Sequence, residues 1–145
     1  MKKITSFILA FVLFAMPLCI EAYAAETDVN YDDQIMPCYT YLSSISSGIS
    51  EGILGFADCI SNVTSFQADK TFVLTCSLQR CTASDPWTVY KSKTETFTGM
   101  GSFTIDKSWF APSNYDYRVV TSVSIKNSSG TVVETASKAS GILYK

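Results

Sequence analysis

An antiparallel β-sandwich of about seven strands is the fold this sequence predicts, on three observations. Alternating apolar and polar segments recur from about Tyr39 to Tyr144. Polar, Gly- or Pro-bearing turns separate them, and no segment in that span makes a persuasive helix. Four cysteines, Cys38, Cys59, Cys76 and Cys81, lie in the same span, an even count that suits two disulfides in an oxidising compartment.

The clearest strand is 71–78. Phe72, Leu74, Cys76 and Leu78 fall on one face, and Val73, Thr75 and Ser77 on the other. Such alternation of β-branched and apolar residues is what a half-buried strand requires. Residues 115–125 repeat it, with Tyr117, Val119, Val123 and Ile125 expected inside. Asn127-Ser128-Ser129-Gly130 then interrupts, and 131–135 resumes, which is a hairpin signal. Weaker strands are expected near 39–47, 53–63, 86–92, 94–98 and 101–106, with a last one at 139–144. Asp85-Pro86 and Ala111-Pro112-Ser113-Asn114 mark loops.

One segment is ambiguous. Leu42, Ile45, Ile49, Ile53 and Phe56 recur at three- and four-residue intervals, which is helical spacing. Their neighbours are Ser and Gly, which compete for backbone bonds or cost about 1 kcal/mol apiece in a helix. Two strands around a turn is the preferred reading.

The first 24 residues read as a secretory signal peptide. Lys2-Lys3 is followed by an almost wholly apolar run from Ile4 to Ile20, and Ala22-Tyr23-Ala24 supplies small residues at a cleavage site. Met16-Pro17-Leu18 before Cys19 does not suit lipoprotein processing. The expected organisation is a removed leader at 1–24, an acidic and flexible segment at 25–37, and one domain at 38–145. The protein is expected to be secreted and extracellular, with no stable membrane anchor in the mature chain.

Charge narrows the partners. Of 11 basic and 13 acidic residues, Lys2, Lys3 and Glu21 belong to the leader, so nine face twelve in the mature chain. Glu26, Asp28, Asp32 and Asp33 crowd its start, and the remainder is close to neutral. No basic stripe exists to neutralise phosphates, so nucleic acid is not an expected partner.

The cysteines resist assignment. Cys59 and Cys76 both fall on inward alternations, which slightly favours their pairing. In an extended strand Cys76 and Cys81 would lie about 16 Å apart, too far for a disulfide. Cys38 and Cys81 fall at opposite strand ends, so each connectivity meets an objection. Zinc is disfavoured, because the chain has no His and no Cys-x-x-Cys.

Several stretches carry a resemblance. They are Asp33-Gln34-Ile35-Met36-Pro37 leading into Tyr39-Thr40-Tyr41, Ala57-Asp58-Cys59, Leu78-Gln79, Trp87-Thr88-Val89, and Tyr115-Asp116-Tyr117-Arg118-Val119. Together they resemble a group of short exported proteins of Gram-positive bacteria whose function is uncharacterised. Tyr115-x-Tyr117-x-Val119 before a Gly turn also looks like the F–G hairpin of immunoglobulin-like and fibronectin-type sandwiches. That resemblance implies an immunoglobulin-like fold, with Tyr115 or Tyr117 anchoring a tyrosine corner. It implies no activity.

Chemistry is sparse. Without His the common base for a Ser or Cys nucleophile is missing, and the acids form no recognisable constellation. The chain is read as non-enzymatic, with no cofactor. Asp28-x-Asn30-x-Asp32 copies the opening of a calcium loop, but Asp33 and Tyr39 stand where Gly and Glu are needed, so no metal is expected. Asn62-Val63-Thr64 and Asn127-Ser128-Ser129 match glycosylation sequons, which matter only in a eukaryotic pathway.

Aromatic residues near loops and strand ends, Trp87, Tyr90, Trp109 and Phe110, are the candidate ligand contacts, because exposed rings there could stack on sugars or anchor a protein. The expected function is a secreted, non-enzymatic recognition or structural module, with a cell-surface glycan or protein as partner. A bacteriocin-like antagonist and a pilin-like assembly subunit are the alternatives.

Overall fold

A computed structural model describes residues 38–145 and assigns them eight strands. The expected signal peptide at 1–24, the acidic segment expected at 25–37 and the calcium-like motif at 28–33 lie outside the described residues. Strands β1 (Leu42–Glu51), β2 (Phe56–Ser65) and β5 (Gly101–Phe110) form one antiparallel sheet in the order β1-β2-β5. Strands β3 (Thr71–Cys81), β4 (Thr88–Thr98), β6 (Asp116–Lys126) and β7 (Val132–Ala139) form the second, in the order β4-β3-β6-β7. The short β8 (Leu143–Tyr144) pairs with the start of β6.

This is the expected all-β sandwich, with immunoglobulin-like connectivity. The fourth strand lies beside β3, at the C′ position, instead of joining the first sheet. Phe72, Leu74, Cys76 and Leu78 of β3 are fully buried, as are Tyr117, Val119 and Ile125 of β6. They meet Ala57, Cys59, Val63 and Ile105 from the opposing sheet. Each strand therefore commits one side to the core and leaves the other wet.

The ambiguous segment is two strands around a turn. Its helix-like spacing has a local cause: the register of β1 against β2 slips between Leu42 and Ser44, a bulge that lets Leu42 and Ile45 both face the core. Ile53 and Phe56, which completed the apparent helical stripe, are exposed. The turn itself carries Leu54 at φ 55° and Gly55 at φ 81°, the paired positive values of a tight hairpin turn.

Other boundaries differ from the sequence reading. One continuous β4 replaces the two strands expected at 86–92 and 94–98, with a register slip opposite Leu78/Gln79. Its charged residues Lys91, Lys93 and Glu95 interrupt the apolar alternation without interrupting the ladder, because β4 is a sheet edge. β5 runs through Asp106-Lys107-Ser108 to Phe110 for the same reason. At the carboxyl end, pairing spans only 143–144. The hairpin at 127–131 is as expected: Asn127 Oδ1 accepts from the backbone N–H of Ser129 at 3.1 Å and of Thr131 at 2.9 Å, and Gly130 takes φ 83°.

The buried centre is partly polar. Thr121 and Ser61 are fully buried, their hydroxyls 2.7 Å apart across the two sheets. The Thr121 hydroxyl also donates to the Ser46 carbonyl at 3.0 Å, and the Ser47 hydroxyl donates to the Val119 carbonyl at 2.9 Å. Both bonds stitch the edge strand β1 to β6 across the two sheets.

Candidate functional site

The four aromatic candidates gather toward one pole but do not form one site. Tyr90 packs on the core rim, its ring centroid 6.4 Å from that of buried Tyr117. Trp109 pairs with buried Ala57 and packs against the core. Phe110 turns outward on the three-stranded sheet, edge-on to Phe56 at 5.8 Å. Trp87 lies before β4, with the Arg118 guanidinium 4.4 Å from its ring. Core packing thus accounts for Tyr90 and Trp109, while Trp87 and Phe110 face different surroundings.

Arg80 completes the core rim. Its guanidinium sits between Tyr90 at 4.4 Å and Tyr115 at 4.5 Å. Tyr117, rather than Tyr115, makes the tyrosine corner, donating to the Pro112 carbonyl. Burial pushes the Tyr117 phenol above its ordinary range, which keeps it a neutral donor.

The four cysteines are free thiols, so neither expected disulfide is present among the described residues. Cys38 and Cys81 stand at opposite poles: the chain after Cys38 enters β1, whose Leu42 pairs with Ser65 at the end of β2, whereas Cys81 ends β3. A strand of that length spans about 33 Å, far outside disulfide reach. Cys59 and Cys76 are both fully buried and lie in one core cluster. Burial first, then the neighbouring Cys76, pushes the Cys59 thiol up to about 12. Cys76 is likewise raised by burial, an effect opposed by a hydrogen bond from Ser61.

An open groove of about 630 Å³ is lined by Glu51, Gly52, Ile53, Leu54, Phe56, Asp58 and Ser108. Ile53 and Leu54 project from it at 82% and 86% exposure. Its polar rim is already engaged, since Glu51 pairs with Lys145 at 3.6 Å and Asp58 accepts from the Ser108 hydroxyl.

The feature that sequence reading missed is the outer face of the four-stranded sheet. Register places Thr96, Val73, Ser124 and Thr135 in one row across β4, β3, β6 and β7. Thr94, Thr75, Ser122 and Ser137 form the next, then Ser92, Ser77, Val120 and Ala139. All have the parity opposite to the buried residues of their strands, and none is buried. None carries a charge, where a surface of ordinary composition would place about three or four among twelve positions. The edge strands keep their charges on the inward side: Lys93 pairs with buried Cys76, and Lys138 with buried Thr121. Inward-pointing charge guards an edge against strand addition, and here it also leaves these twelve positions uncharged, with Lys126 beyond them at one end and Arg118 and Asp116 at the other.

At its polar end this face meets Gln79 and Arg118, directly paired, with Arg118 Nε donating to Gln79 Oε1 at 2.9 Å. The guanidinium lies on Trp87 and has no carboxylate within salt-bridge distance among the described residues. Thr75 and Thr94 bond to each other at 2.8 Å, while the hydroxyls of Ser77, Ser92, Ser122, Ser124 and Ser137 have no side-chain partner among the described residues. The arrangement offers a field of donors and acceptors bounded at one end by a ring, an amide and a cation, and at the other by Lys126. The alternation on 71–78 and 115–125 contained half of this field, but the composition of the whole face needed the register of four strands. No protein-family model and no curated protein matches the chain.

Proposed function

We propose that the protein is exported and acts outside the cell as a non-enzymatic recognition module whose ligand lies on the outer face of the β4-β3-β6-β7 sheet. The observation that carries this reading is the row-by-row uncharged, hydroxyl-bearing surface, next to the Trp87–Arg118–Gln79 cluster. A solvated face with no binding role ordinarily mixes both signs of charge. Export rests on the Lys2-Lys3 start, the apolar run and the Ala22-Tyr23-Ala24 site. The resemblance to exported proteins of Gram-positive bacteria points to the same compartment.

In that compartment we also propose one disulfide, Cys59–Cys76. Its support is the burial of both residues in one cluster and the close approach of the sheets at Ser61 and Thr121. Each thiol gives up a proton and one electron as the S–S bond forms, and a disulfide-bearing oxidant, its own S–S bond breaking, takes up the two electrons and two protons to become a dithiol.

The pilin-like alternative finds less support, because β7 already occupies the place beside β6 that a donated strand would fill. The antagonist alternative is separated by its readout. Fluorescently labelled protein should bind intact bacterial envelopes saturably without inhibiting growth. Absence of saturable binding to any envelope, or growth inhibition at the binding concentration, would contradict the reading.

A further inference from the structure

We propose that the ligand of this face is an uncharged polysaccharide, an inference that rests on the recognition reading above. Three properties of the surface select that chemistry. First, its three central rows carry no charge, and the charges of this face stand only beyond them, Lys126 at one end and Arg118 with Asp116 at the other, so neither an acidic chain of uronates or phosphates nor a basic ligand finds a counter-charge along the rows. Ligand and surface match in being neutral. Second, the exposed functional groups are hydroxyls, each able to donate one hydrogen bond and accept two. In a sheet they recur about every 4.8 Å across strands and about every 6.7 Å along them. A polyhydroxylated chain can exchange bonds with such a grid at each sugar, without leaving a buried polar group unpaired. Third, Trp87 supplies an apolar plate beside a polar fork. Arg118 beneath it and Gln79 beside that cation fix the cluster's geometry. A sugar ring has an apolar C–H face and a rim of hydroxyls, and this cluster answers both.

A second copy of the chain is a poorer occupant. Of the twelve positions only Val73, Val120 and Ala139 are apolar, whereas stable self-association by a sheet face calls for an apolar centre.

The test takes the purified full chain through sedimentation with chitin and cellulose, and through affinity electrophoresis in soluble mannan and β-glucan. Polygalacturonate and heparin serve as the charged counterparts. The expected result is retention by at least one neutral polysaccharide and by neither charged one. Trp87→Ala and Ser122→Glu should each weaken retention at least tenfold, Trp87→Phe should keep most of it, and Ser102→Glu on the other sheet should leave it unchanged. Circular dichroism of each variant confirms that the sandwich is intact. Retention by no neutral polysaccharide overturns the inference, as does preference for a charged one or indifference to Ser122→Glu. A concentration-dependent dimer in sedimentation velocity that Ser122→Glu dissociates also overturns it, in favour of a second copy. Envelope binding that protease treatment of the envelope abolishes, with no polysaccharide retained, overturns this inference while leaving the recognition reading standing. Failure to bind envelopes at all removes both.

Discussion

The Tyr117 hydroxyl donates to the Pro112 carbonyl at 2.7 Å, tying the first turns of β6 to the loop that delivers it from the other sheet. The phenol body is fully buried and touched edge-on by Tyr90 and Tyr115. One side chain therefore fills the core and fixes the loop crossing between the sheets. Tyr117→Phe keeps the packing and orphans the carbonyl, so it should cost about 1–3 kcal/mol. Urea denaturation followed by tryptophan fluorescence would measure it. A Tyr115→Phe control, at a residue with no such bond, should fall within about 0.5 kcal/mol of the parent.

Thr121→Val tests the polar knot at the centre. The substitution is close in shape but removes the hydroxyl shared with Ser61 and the Ser46 carbonyl. Leaving buried partners unpaired should cost about 1–3 kcal/mol. A Thr121→Val, Ser61→Ala double variant should recover part of that loss, because one orphaned group is removed with its partner. A double variant as unstable as the sum of the two singles would contradict the direct coupling.

Among the described residues, Leu54 is the one exposed apolar residue at positive φ. Its φ of 55° belongs to the left-handed region that costs an ordinary residue about 1–2 kcal/mol, and it is 86% exposed. Leu54→Asn should raise stability by about 1 kcal/mol, read as a rise in the thermal midpoint of about 4–8 °C. An unchanged or lower midpoint would show that the side chain contributes packing not visible in this turn.

The cysteines give a pH signature. In the reduced protein the Cys59 thiol is raised to about 12 by burial, above its value in the unfolded chain. The unfolded state therefore loses this proton first, and binds fewer protons than the native state between about pH 9 and 12. Stability contributed by the neutral thiol is complete below pH 9 and falls as pH rises, by about 1.4 kcal/mol per unit for one group. Denaturation of reduced parent and of Cys59→Ser at pH 8 and pH 10 should show a steeper loss in the parent. At pH 8 without denaturant, iodoacetamide should label exposed Cys38 and spare Cys59 and Cys76. In protein recovered from an oxidising medium, an unreduced peptide map should join Cys59 to Cys76 with the loss of two hydrogens. That bond should add about 3 kcal/mol by closing a loop of this size. A Cys38–Cys81 peptide would contradict the strand order.

The parity of 71–78 and 115–125 was legible from residues alone, because both strands are central and their faces differ in polarity. Edge strands were legible only in fragments. Lys91, Lys93 and Glu95 point inward past the opposing sheet, so alternation failed as a signal while the ladder continued. Thr121 escaped the core list because a hydroxyl reads as surface until Ser61 and the Ser46 carbonyl are brought to it by long-range pairing. The bulge after Leu42 turned an inward strand into an apparent helix. The neutral face was least visible: each of its rows joins four strands far apart in sequence, and absence of charge on a surface has no local pattern. Trp87 was selected for its place beside a predicted loop, but its partner Arg118 comes from another strand.

Recognition through the four-stranded sheet is tested most directly by placing one carboxylate on each side of the sandwich and measuring envelope binding. Ser122→Glu stands at the centre of the neutral face, and Ser102→Glu on the outer side of β5. Saturation binding of the two variants and the parent should show Ser122→Glu weakened at least tenfold, with Ser102→Glu equal to the parent. Equal binding by all three, or loss confined to Ser102→Glu, would contradict the account.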